Sequence, residues 1–293
     1  MHMGTKEDRE TSYAVLDAYV DAGGRFIDTA NIYATWIQGG SGGESEKLLG
    51  HWMKERSNRS ELFVASKVGF PYQDVTQGLR KSQIVEECDK SLSRLGIETI
   101  DLYYAHVDDR KTPMEESLAA FDSLVQSGKV RYLGASNFPS WRLAEARLTS
   151  AANGWQPYSC IQQRHTYLRP KPGASFAPHL AATDELIDYC STHRITLLAY
   201  SPLLGGAYVR DDKAIGNQYA GEDSSRRLEA LDAVAGEVGA GRNEVVLAWM
   251  MLQTPPVIPV TSASSVAQLA ENLKAFEVSL SPEQIDRLSA AGA

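Results

Sequence analysis

Residues 62–106 read LFVASKVGFPYQDVTQGLRKSQIVEECDKSLSRLGIETIDLYYAH: an apolar run, a helical stretch and a second apolar run. The outer runs, 62–67 and 99–106, are rich in β-formers and end in ionisable residues, Lys67 and His106. Between them Ile84, Cys88, Leu92 and Leu95 recur at helical spacing, and Gly96 stands where a helix ends in a left-handed residue. Strands joined by a helical crossover lie parallel, whereas a short hairpin turn would make them antiparallel.

The same unit repeats outward in both directions. Runs at 25–30 (RFIDTA), 131–137 (RYLGASN), 158–166 (YSCIQQRHT), 195–201 (ITLLAYS) and 257–262 (VIPVTS) bring the strands to seven, at roughly 30-residue spacing. Leu228, Leu231, Ala235 and Val238 mark another helical face, and Gly23-Gly24 and Gly128 punctuate two more helices. The implied fold is an α/β (β/α)8 TIM barrel, formed as a single domain over residues 1–293. The chain opens in a helix, with Thr5-x-x-Asp8 reading as its capping box and Tyr13, Leu16 and Val20 on one face. Eight helical crossovers therefore meet seven strands. Strand 1 of the barrel is missing at the N-terminus, and since a gap would expose two strand edges, a lost N-terminal segment is the expectation.

Composition narrows the function. Lys+Arg 29 against Asp+Glu 37 gives a net charge of -8, which disfavours nucleic acid and anionic membrane as partners. No apolar run is long enough to span a bilayer and no secretory signal opens the chain. Cys88, Cys160 and Cys190 are widely spaced and join no Cys/His cluster, so buried thiols in a cytoplasmic protein are expected, with no metal. A metal-dependent barrel hydrolase would need clustered His and Asp at strand ends, and that spacing is lacking.

In a parallel barrel the C-terminal strand ends converge on one mouth. Asp28, Lys67 and His106 occupy that position on three successive strands, and Tyr33 follows Asp28 by a short loop. Each has a plain structural explanation alone: a helix cap, a rim lysine, a structural histidine, a packed tyrosine. Together they form a costly group of ionisable residues at one layer. Carbonyl reduction needs a hydride on carbon and a proton on oxygen. A phenol with pKa about 10 is a poor acid until a neighbouring ammonium favours the phenolate. In that chemistry Asp28 orients Lys67, Lys67 acidifies Tyr33, and His106 polarises the carbonyl.

These residues, in this order, resemble the Asp/Tyr/Lys/His tetrad of the aldo-keto reductase family. Further motifs extend the likeness over essentially the whole chain: Gly134-Ala135-Ser136-Asn137-Phe138, Gln162, Tyr200-Ser201-Pro202-Leu203 and Glu271-Asn272. The resemblance implies that Ser136, Asn137 and Gln162 bind the nicotinamide carboxamide and that Tyr200 stacks on its ring, with Ser201 and Leu203 in the following loop. It also implies that Glu271 and Asn272 grip the adenine end. A helix beginning near Ser264 offers its N-terminus, with Ser262 and Ser264, to phosphate. Relatives that use NADPH commonly have Arg or Lys there, while this chain has Ser262, Ser264 and Gln268, with Lys274 the nearest cation. NADPH is the expected cofactor and NADH is possible. Trp36, Phe70, Tyr72 and Val107 are the candidates for the substrate pocket, suited to an apolar carbonyl compound or, through the aromatic rings, a sugar. A cofactor-binding regulatory or redox-sensing protein with little turnover is the alternative to an enzyme.

Overall fold

A computed structural model describes residue 3 and residues 5–292. In chain order it contains α1 (Arg9–Asp21), β1 (Phe26–Asp28), α2 (Glu44–Arg56), β2 (Phe63–Val68), α3 (Lys81–Leu95), β3 (Ile100–Ala105), α4 (Met114–Gln126) and β4 (Val130–Ser136). Next come α5 (Ser140–Asn153), β5 (Tyr158–Arg164), α6 (Asp184–His193), β6 (Thr196–Tyr200), α7 (Glu222–Val238), α8 (Arg242–Met251), β7 (Ile258–Val260), α9 (Val266–Leu273) and α10 (Pro282–Ala290). The strand order of the sheet is the chain order, β1 to β7. Strand–helix alternation with parallel pairing is the (β/α)8 pattern, and all seven strands lie where the sequence puts them.

The chain divides into two compact units, residues 1–161 with 262–266, and residues 162–261 with 267–293. In the first, β1 to β4 pair in parallel register, with Asp28 opposite Ala65, Lys67 opposite Tyr104 and Tyr104 opposite Gly134. Every residue of β3 is buried, as expected of a parallel strand covered on both faces. Gly134 is required by that packing. A methyl group on it would stand 2.6 Å from Tyr104 Cδ1 and 2.9 Å from Cys160 Sγ. At the N-terminal ends of the strands the fully buried Asp101 accepts hydrogen bonds from Arg59 (2.7 Å), Arg131 (2.8 Å) and the Val64 amide (2.8 Å). It thereby ties β2, β3 and β4 to one carboxylate.

The first helix corrects one expectation. Its N-cap is Asp8, whose Oδ1 accepts from the Thr11 amide at 2.7 Å, so Thr5 does not open a capping box. The cap residue must precede the helical turn whose amides it satisfies, and that turn starts at Arg9.

In the second unit β6 and β7 pair in parallel, Leu198 with Ile258 and Tyr200 with Val260. The crossover between them contains two helices, α7 and α8, so the described residues hold more helices than the eight crossovers expected. The buried face of α7 is Ser224, Arg227, Leu231, Val234 and Ala235; of the expected apolar stripe Leu231 and Ala235 are buried, while Leu228 and Val238 are half-buried. A buried arginine shares that face. Arg227 donates from Nε to the Tyr167 carbonyl and from Nη1 to the Ala291 carbonyl, both at 2.8 Å, with its guanidinium 4.3 Å from the Tyr167 ring centroid. The α9 helix starts at Val266, so Ser262 and Ser264 lie in the segment before it. Among the described residues no helix is long and apolar enough to cross a membrane.

Candidate active site

Four ionisable side chains meet at the C-terminal ends of β1, β2 and β3. Asp28 is the last residue of β1, Lys67 the penultimate residue of β2, and His106 follows β3 directly. Because side chains alternate along a strand, Ala65 and Lys67 share a face, and parallel register aligns the strand ends. Tyr33 enters from the turn after β1, with its amide donating to the Ala30 carbonyl at 3.2 Å.

Lys67 is the centre of the group and is wholly buried. Its Nζ donates to Asp28 Oδ1, to the Thr29 carbonyl (2.8 Å) and to the Tyr33 hydroxyl (2.9 Å). Three acceptors match the three hydrogens of an ammonium. The Tyr33 hydroxyl in turn donates to Asp28 Oδ1 at 3.3 Å, closing a triangle of carboxylate, ammonium and phenol. Burial holds the lysine pKa below its ordinary 10.5, while the charge of Asp28 opposes that shift. Two rings flank the ammonium, Tyr33 at 4.7 Å and Tyr104 at 5.6 Å.

His106 stands edge-on to Tyr33, with ring centroids 6.2 Å apart, and edge-on to Phe70 at 4.7 Å. Its amide donates to the Val68 carbonyl (2.8 Å), and its carbonyl accepts from Asn137 Nδ2 (2.9 Å). Asn137 therefore joins the end of β4 to the end of β3. It adopts a left-handed backbone (φ 57°), and its Nδ2 also lies 3.1 Å from Ser136 Oγ.

The residues proposed for the substrate pocket do not all face this group. Trp36 is half exposed and packs on Tyr33 at 5.8 Å, Phe70 packs on His106, and Val107 is buried beside the turn at Gly69. Tyr72 is different. Its buried hydroxyl donates to Glu87 of α3, and burial with that carboxylate beside it pushes its pKa up to about 12. In the second unit Gln162 is buried near the end of β5 and Tyr200 ends β6. The following Ser201 has φ 55°, and Leu203 lies in the same loop. Gln268 and Glu271 are exposed on α9 and Asn272 is buried.

Sequence reading missed the parts that hold the site. Glu46 of α2 is fully buried and accepts from Ser66 Oγ (2.5 Å) and Arg94 Nε (2.6 Å). Glu87 accepts from Asn31 Nδ2 (2.8 Å) and Lys90 Nζ (2.8 Å) as well as from Tyr72. The residue next to Lys67 and the turn after Asp28 are thus each fastened to a helix by a buried carboxylate. The sequence signal was present but weak: acidic residues on the inward face of a helix.

Comparison with known proteins identifies the family. The model of the aldo/keto reductase family matches residues 1–293. The chain is 31% identical over 306 residues to the uncharacterized oxidoreductase YrpG of Bacillus subtilis (strain 168), covering 99% of this chain and 89% of that protein. It is 29% identical over 299 residues to a norsolorinic acid reductase of Aspergillus flavus, covering 97% and 72% respectively. An aryl-alcohol dehydrogenase (NADP(+)) of Phanerodontia chrysosporium is 30% identical over 317 residues, covering 98% and 77%.

Proposed function

The chain belongs to the aldo/keto reductase family of oxidoreductases, and from that premise we propose that it reduces an aldehyde or ketone to the alcohol, using NADPH, with Tyr33 as proton donor. One observation carries the reading: the buried Lys67 ammonium lies 2.9 Å from the Tyr33 hydroxyl while also bonded to Asp28. As the carbonyl oxygen gains negative charge, the phenol gives up its proton and the adjacent ammonium stabilises the phenolate left behind. Low local dielectric strengthens that attraction, and Asp28 keeps the ammonium charged and in place. The His106 ring, beside Tyr33, orients and polarises the carbonyl oxygen.

The donor set fits a nicotinamide. Asn137 and Gln162 offer buried amide groups to a carboxamide, with Ser136 beside them, and Tyr200 offers a flat ring. Ser201 and Leu203 would follow the cofactor from the end of β6. Ser262 and Ser264 would meet its phosphates, and Gln268, Glu271 and Asn272 its adenosine end. When bound, the nicotinamide supplies the hydride that reaches the carbonyl carbon. The printed name of the fungal dehydrogenase supports NADPH. The uncharged Ser262, Ser264 and Gln268 keep NADH as the competitor to be tested, because hydroxyls and amides do not offset a 2′-phosphate charge. Trp36, Phe70 and Val107 favour an apolar or aromatic carbonyl compound. The three buried free thiols suit a reducing, cytoplasmic setting.

Tyr33→Phe tests the mechanism. NADPH oxidation with a panel of aldehydes should fall by about 10²- to 10⁴-fold, while NADPH still quenches protein fluorescence. Wild-type rates in that variant would remove Tyr33 as the donor.

A further inference from the structure

We propose that Glu46 is a second carboxylate of the Lys67 ammonium, a positioning residue that holds the active-site charge from behind β2. The inference deepens the reading above, in which Lys67 acidifies Tyr33. Alternation sets neighbouring side chains of β2 on opposite faces: Lys67 turns to Asp28 and Tyr33, and Ser66 turns to the helices. There Ser66 Oγ donates to Glu46 Oε1 at 2.5 Å, and Arg94 Nε of α3 donates to the other oxygen at 2.6 Å. Both oxygens accept, the pattern of an ionised acid, and Arg94 offsets the cost of burying it. The preceding residue, Ser45, accepts from the Thr29 hydroxyl at 2.9 Å, and the Thr29 carbonyl accepts from Lys67 Nζ. Two consecutive residues in the first turn of α2 therefore hold Ser66, beside Lys67 in the chain, and Thr29, beside it in space.

Glu46, Ser66 and Lys67 are all fully buried, so the two charges act on each other through protein, where attraction is weakly screened. After Asp28, Glu46 is the charge that does most to keep Lys67 protonated against its own burial. The groups around the ammonium are Asp28 from β1, Tyr33 from the turn after it with His106 beyond, Tyr104 from β3, and Glu46 from α2 with Arg94 of α3 behind it. Glu46 acts also on Cys88 and Tyr103. Burial pushes that thiol up to about 12 and that hydroxyl well above its usual range, so neither becomes charged while Lys67 titrates.

Lysine labelled with carbon-13 at Cε reports the state of each ammonium by NMR, and Lys67→Arg identifies the Lys67 signal by its loss. Glu46→Gln keeps the shape and removes the charge. In that variant the Lys67 midpoint should fall by about 0.5–1 pH unit. Glu46→Asp restores the charge and should return the midpoint to within about 0.3 pH unit of the wild type. An unchanged midpoint in the Gln variant would overturn the proposal. So would an equal fall in both variants, which would make packing the cause. These signals need no turnover, so they judge Glu46 even if the protein reduces no carbonyl and the reductase reading fails on its own. With turnover, the alkaline limb of kcat should move down together with the midpoint. A limb that stays while the midpoint moves would detach Lys67 from the reduction and leave Glu46 its place beside the ammonium. Should the Gln variant fail to fold because Arg94 has lost its counter-ion, Glu46→Gln with Arg94→Gln removes both charges. The midpoint should fall there too, by less, and no fall would overturn the proposal.

Discussion

Asp28 and Asp101 are buried carboxylates at opposite ends of the same group of strands, and their cations differ. At the N-terminal ends, Asp101 meets Arg59 and Arg131 and the Val64 amide. At the C-terminal ends, Asp28 meets Lys67, which also touches a phenol. A guanidinium cannot give up its proton in a protein, and its planar fork suits it to fastening strands together. A buried ammonium has a movable pKa, and here burial has moved it down. The same charge pairing is therefore fixed at one end of the strands and responsive at the other.

Four measurements, one of them a pH profile, sharpen or break this contrast. Lys67→Met should lower reduction by on the order of 10²-fold or more while the protein still unfolds cooperatively. Near-normal turnover would erase the distinction between the two ends. Asp101→Asn should do the reverse, costing about 2–4 kcal/mol in urea unfolding by leaving two arginines without their carboxylate, with turnover per folded molecule unchanged. Loss of activity without loss of stability there would place chemistry at the wrong end. The pH profile comes third. Because the Lys67 pKa is lowered, its ammonium is lost at a lower pH than that of an exposed lysine. Reduction should therefore fall on an alkaline limb beginning below 10.5, roughly tenfold per pH unit beyond its midpoint. Arg in place of Lys67 should move that limb upward. The smallest effect belongs to Arg131→Ala: its side chain is 62% exposed, so its removal should cost less than about 1 kcal/mol.

The strands and the tetrad were legible because both obey short-range rules. Alternation puts Lys67 on the face of Ala65, and a polar residue after an apolar run marks a strand end. What escaped depends on partners distant in sequence. Arg227 reads as solvent-facing until Tyr167 and Ala291 are brought to it. Glu46 and Glu87 read as ordinary helix acids until Ser66, Arg94 and Asn31 reach them. Tyr72 suits a ligand pocket by being aromatic and following a strand, yet Glu87 holds its hydroxyl. The family resemblance gives Asn137 to the cofactor, and its bond to the His106 carbonyl needs the register of β3 and β4 to be seen. Thr5 and Asp8 both suit a cap, and only the position of the first helical turn chooses between them.

Glycine at 134 has a reach beyond its own strand. The vacancy left by its missing side chain is filled by the ring of Tyr104, and that ring is the floor beneath the Lys67 charge. Enlarging residue 134 by one carbon would displace that ring without touching any group that reacts. A silent position on β4 thus governs the placing of a ring that borders the charge on β2.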